Sequence, residues 1–405
     1  MTKKLKHDFE ALHFPTAQPI DWPFRTWVSP EIWEADHSEL AWIGFRYADL
    51  NFAVHTQNKD LPFSAVICGF VEDAISPARI VLRGTTLFIA IDCQTQMKCV
   101  VAAASHSSSL TASIAAWKNG TDLSLTYNRA IIATSSQQEL ADILRTAGLL
   151  MNFLIEHELS HARGGHHQLK RESVLTPQIT RSLELVADYN AIFYTRMALL
   201  APFLGGTSNM DDVTRLAKRF GYALTVFLLA RSSPATVAGS QYPSFFERLS
   251  LAAGTNLVEC FKSENWAGSA TTALKLHLLG GIKAALVDLS TAGELEFSET
   301  YAVLNVQVTP QRANCVTCSV FAREVAKLSR PLVAEIANMS DTLEKFAPTK
   351  MGFSRINYAK GLAIPIEIPV CAFDNPMRFR IKKLLRWLSR GRASGRARRA
   401  RSSNA

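Results

Sequence analysis

The chain has 405 residues, enough for two compact domains, and its 48% hydrophobic, 9% aromatic and 20% charged residues exclude disorder as its general state. Its formal charge of +9 is local: eleven of the 44 Lys and Arg lie between Arg378 and Arg401 without one acid, leaving 33 bases against 35 acids elsewhere. A uniformly basic nucleic-acid-binding surface is thereby excluded. The seven scattered cysteines, an odd number, argue against a dense disulfide framework and fit a reducing compartment.

The N-terminus, MTKKLKHDFEALHFP, carries basic residues with no apolar stretch behind them, so no secretory signal is predicted. Residues 1 to about 60 mix Pro, Trp and acids without a long period. From about 63 to 134 the runs SAVICGFV, ARIVLRGTTLFIAID (with a turn at Gly84), KCVVAAA and LSLTYNRAIIAT read as strands, rich in β-branched and aromatic residues. CQTQMKC, Cys93 to Cys99, is placed on a strand with them. Residues 1–134 therefore form an N-terminal mixed, β-rich region.

Ser136 and Glu139 stand at capping-box spacing in front of a long helical stripe of Leu140, Ile143, Leu144, Ala147, Met151 and Leu154, which continues into Glu158 and His161. Gly164 and Gly165 end that helix. Thr176 and Pro177 begin a second one, running to about Leu200 before Pro202, with Glu184, Ala187, Asp188 and Ala191 along one face. Further helices are predicted over about 211–231 and 244–262, and GYALTVFLLA at 221–230 is about half of a membrane span. The expected organisation is a helical core over 135–265, a mixed region over 266–377 and a basic tail over 378–405.

The chemistry concentrates in HELSHARGGHHQ, residues 157 to 168. His157 and His161 are one helical turn apart, so both imidazoles project from one side and can share one Zn2+. Glu158 beside them is the candidate general base toward a water whose pKa such an ion lowers. The competing account is a core helix whose two His and one Glu bond among themselves. Two residues compete as third ligand. Glu184 lies in ELVAD, where Asp188, one turn later, can accept a bond from a ligand histidine's second nitrogen. His167 instead completes the string HExxHxxGxxH, the metzincin pattern, though no Met-turn signature accompanies it.

HExxH followed some twenty residues later by ExxAD resembles the gluzincin metallopeptidases, and HELSHARGGH with ELVADYNA most resembles the phage-exclusion peptidases of the Lit family. The resemblance covers about residues 136 to 200. It implies an α+β fold with a zincin-like core, a sheet followed by helices carrying the two motifs, His157, His161 and Glu184 on one zinc ion, and Asp188 behind a ligand. It also implies a cytoplasmic endopeptidase whose substrate is a translation elongation factor, with an activating peptide or protein as a further partner. YPSFFER echoes a His-Pro motif of related zincins: Pro243 and Arg248 keep the spacing, and Tyr242 replaces His as a candidate oxyanion donor. Arg163 is a candidate on the substrate side, next to His166 and His167.

CVTC at Cys315 to Cys318 lacks a second pair and reads as two buried thiols. In the tail, Met377, Ile381, Leu384, Leu385 and Leu388 form a stripe opposite Lys382, Lys383, Arg386 and Arg390. Such a helix can lie peripherally on an anionic inner membrane, and the Arg-rich end can bind nucleic acid. A non-catalytic zinc protein anchored through that tail is the reading that competes with an enzyme.

Overall fold

In the computed structural model the described residues are 12–13, 17–28, 65–72, 78–106, 108–118, 130–131, 133–166, 169, 175–204, 208–231, 242–262, 269–295, 332 and 334–335. They form an α+β fold in which helices predominate over one small sheet. The sheet holds β1 (Leu12–His13), β2 (Ala65–Val71), β3 (Ala78–Arg83) and β4 (Thr86–Asp92) in the spatial order β1-β2-β4-β3. β1, β2 and β4 are parallel, and β3 is antiparallel to β4 across a turn at Gly84, whose φ of 58° is left-handed. Strand alternation sorts the side chains: Val66, Cys68, Phe70, Leu87, Ile89 and Ile91 face the helices, while Val71, Phe88 and Ala90 pack on Trp22 across the sheet.

The predicted strand KCVVAAA is instead the end of a helix, α1 (Cys93–Ala104), which also carries CQTQMKC. Asp92 closes β4 and caps α1, its carboxylate accepting the Thr95 N–H at 3.1 Å. Ten of the 12 residues of α1 are buried, so the helix is apolar on nearly all sides and shows no period by which sequence could separate it from a strand. A second helix follows, α2 (Leu110–Lys118). Of LSLTYNRAIIAT, residues 123–129 lie outside the described residues, and 130, 131, 133 and 134 are helical rather than extended.

α3 (Gln137–Arg163) begins as its capping box predicts, with Ser136 Oγ accepting the Glu139 N–H at 3.2 Å. α4 (Pro177–Leu204) begins with Thr176 Oγ1 accepting the Ile179 N–H at 3.2 Å and continues through Pro202 instead of stopping at Leu200. α5 (Met210–Arg231), α6 (Phe245–Lys262) and α7 (Ser269–Thr291) complete the described helices. α3 runs against α4 and α1, while α5 packs most extensively on α7. The α5–α7 crossing requires glycine: a Cβ at Gly221 would stand 2.1 Å from the Leu278 carbonyl oxygen, and one at Gly281 1.9 Å from that of Lys218. Phe153, Phe220, Phe227 and Phe245 fill the space between helices and are fully buried.

No helix among the described residues is long and apolar enough to cross a membrane. His167, the Cys315–Cys318 pair and the basic tail lie outside the described residues.

Candidate metal centre

α3 presents His157 and His161 from one side, and their Nε2 atoms converge to 3.2 Å. α4 crosses them with Glu184, whose Oε2 lies 3.2 Å from His157 Nε2 and whose Oε1 lies 3.5 Å from His161 Nε2. The three side chains form a buried His-His-Glu group able to hold a metal ion. Ligands about 2.0–2.1 Å from a tetrahedral ion stand roughly 3.3–3.4 Å from one another. The observed separations match that edge length, and three protein donors leave a fourth position open. His167 is outside the described residues, so the pairing shown is that of Glu184.

Behind the donors lies a layer that holds them in place. Asp188, one turn beyond Glu184 on α4, has Oδ1 2.9 Å from His157 Nδ1. Arg248 on α6 clamps the same carboxylate with two bonds, Nε to Oδ2 at 2.7 Å and Nη2 to Oδ1 at 2.6 Å. This gives the YPSFFER echo physical content. Ser244 and Glu247 form a reciprocal capping box at the start of α6 and fix the first turn from which Arg248 projects. Arg181 at the start of α4 bonds both Glu247 and Glu335, tying α4 to α6 and to a residue of the C-terminal region.

Tyr242, two residues before Ser244, is 64% exposed. Arg163 is not on the substrate side. Its guanidinium pairs with Glu156 at 2.9 Å and stacks over Tyr194 of α4, and Glu156 and Arg163, seven residues apart, share a face of α3 turned away from the histidines. His166 is likewise buried rather than facing solvent or substrate, with Nδ1 2.6 Å from His161 Nδ1. Arg231, at the end of α5, was not legible as a site residue because it reads as an ordinary helix-terminal cation. It is half-buried, near enough to Glu158 and Arg248 to feel both charges. Burial and the Arg248 charge lower its pKa to about 10, so it remains a cation at neutral pH. Glu158 itself is half-buried on α3 beside His157.

Both carboxylates that face His157 are held ionised. Burial opposes the charges on Glu184 and Asp188, but His161, His157 and Arg248 hold Glu184 far below the carboxylate range, and Arg248 and His157 hold Asp188 at about 2. Both ring nitrogens of His157 face carboxylate oxygens. Burial disfavours its charged form, yet the bonds to Asp188 and Glu184 outweigh burial and raise its pKa to about 9. A raised histidine pKa stabilises the metal-free fold fully below the ordinary 6.5, and this contribution is lost as pH rises through about 9. A metal ion requires the lone pair on Nε2, so its binding expels that proton. Between pH 7 and 8, metal uptake is expected to release about one proton per ion, and apparent affinity to rise about tenfold. Indicator-dye titration with a divalent metal measures the release; uptake with no proton released would contradict this account of His157.

No family model, curated protein or solved structure matches the chain.

Proposed function

We propose that the chain is a zinc-dependent endopeptidase acting on an intracellular protein, built on a zincin-like core. The observation that carries the reading is the convergence of His157, His161 and Glu184 on one point, with Glu158 on the next position of the same helix. Zinc held there would act as a Lewis acid on the scissile carbonyl and draw the pKa of water toward neutrality. Glu158 is the proton carrier: it accepts the proton of the attacking water and delivers it to the leaving amine. Asp188, pinned by Arg248, keeps His157 in the tautomer and orientation that ligation needs.

The sheet supports a peptide substrate. Among the described residues β3 is the outer strand of the order β1-β2-β4-β3, and α3, the helix that carries the histidines, packs against it. An extended peptide adding to that strand gains main-chain hydrogen bonds independent of its sequence. The likeness of residues 157–166 and 184–191 to Lit-type peptidases makes a bacterial elongation factor the first substrate to test, with an activating peptide present.

The test is chelation and return of metal. Protein purified with its ion is expected to hold about one zinc per chain, to generate new N-termini in a bacterial lysate, to lose that activity on chelation, and to regain it with zinc. A zinc-loaded protein that creates no new N-termini, with or without peptide activators, would make the non-catalytic reading the better one.

A further inference from the structure

A buried imidazole that ligates through Nε2 must carry its proton on Nδ1, and that N–H needs an acceptor. His157 has the Asp188 carboxylate. At the same position behind His161 stands another imidazole, His166, 2.6 Å away from Nδ1 to Nδ1, with the two rings steeply inclined at 73°. Only one of the facing nitrogens can hold a proton. With His161 Nε2 committed to an ion, His161 Nδ1–H donates and the facing His166 Nδ1 accepts.

The backbone is built for this pairing. In an uninterrupted helix, residues five apart point about 140° away from each other, so residue 166 could not meet residue 161. The two glycines break the helix. Gly164 N–H still donates to the Ser160 carbonyl at 2.9 Å, and Gly165 then turns with φ of 66°, which brings residue 166 back under the end of α3. The His166 ring lies against Gly164 itself: a Cβ there would stand 2.5 Å from His166 Nε2 and 2.8 Å from Cδ2. Only glycine leaves room for the ring, and His166 ends 1% exposed.

We infer that His166 is the positioning residue for His161, and that Gly164 and Gly165 serve to fold it back onto that ligand. The inference rests on the metal reading above but not on peptide cleavage. The two ligands are then held differently, His157 by an arginine-clamped carboxylate and His161 by a second imidazole.

The experiment is titration of metal-free protein with Co2+, followed by its visible absorption, for the unmodified chain, His166→Ala, His166→Gln and Gly164→Ala, with far-UV circular dichroism confirming each fold. His166→Ala is expected to weaken Co2+ binding by about 10–100-fold. Gly164→Ala, which displaces the ring without removing it, is expected to do the same, and His166→Gln, whose carbonyl can accept the His161 proton, to recover most of the loss. In the nitrogen NMR spectrum of the zinc-loaded protein, one hydrogen-bonded Nδ1–H of a ligand histidine should disappear in His166→Ala. Should His166→Ala fail to fold, the other two variants decide. Unchanged affinity in His166→Ala and Gly164→Ala overturns the inference, as does a spectral change showing that His166 is itself a ligand. An unmodified chain that takes up no Co2+ removes the metal reading and this inference with it. One that binds Co2+ as expected but cleaves nothing removes only the peptidase reading.

Discussion

Glu158→Gln is expected to keep its zinc and to lose peptide cleavage by about 10²–10⁴-fold, the usual worth of a positioned general base. The amide has nearly the shape of the carboxylate but takes no proton at neutral pH, so the change isolates proton transfer. Glu158 is half-buried and is not among the three metal donors, so neither the fold nor the ion should respond to the substitution. Its charge does oppose those of Arg231 and Arg248; Arg248 is also paired with Asp188, so the variant chiefly leaves Arg231 with one carboxylate fewer near it. Zinc content and turnover measured on one preparation provide the check: equal turnover in the variant would remove Glu158 from the chemistry, and loss of zinc would make it structural.

Glu184→Ala carries the second large effect. It deletes one of three donors and the negative charge closest to the ion. What remains is two imidazoles and an Asp188 carboxylate already neutralised by Arg248. Affinity for zinc is expected to fall well beyond the ~10–100-fold attached to loss of an outer hydrogen-bond partner. The fold should survive, since Glu184 is half-buried and its removal relieves part of the burial cost of charge on α4. His167→Ala, measured beside it, tests the rival ligand set and is expected to leave zinc content unchanged. Loss of metal in His167→Ala alone would replace Glu184 by His167 as the third donor.

The local signals were legible where they depended on neighbours in the chain. Ser136 with Glu139, Thr176 with Pro177, and the Gly164–Gly165 break each mark a helix end through contacts spanning a few residues, and each stands where expected. α1 was misread for a physical reason: a helix buried on nearly every side has no polar face, and Val100, Val101 and the alanines after them carry no period. Arg163 looked like a substrate-side residue because its partner Glu156 is one of several polar groups in α3, and only packing against Tyr194 shows which face is turned inward.

Helical geometry alone places His157 beside His161 and Glu184 beside Asp188, because a 3.6-residue turn puts positions four apart on one side. It cannot say that the two pairs meet. That follows from the crossing of α3 with α4, which brings Glu184 to both imidazoles, and from the seat of α6, which carries Arg248 to an aspartate 60 positions earlier. His166 is the intermediate case: its partner is only five positions away, yet the turn that joins them depends on a glycine Cα having room for a ring. Periodicity is a property of adjacent residues and can be read along the chain. Which buried nitrogen faces which oxygen depends on how separate helices pack, and only the folded molecule contains that information.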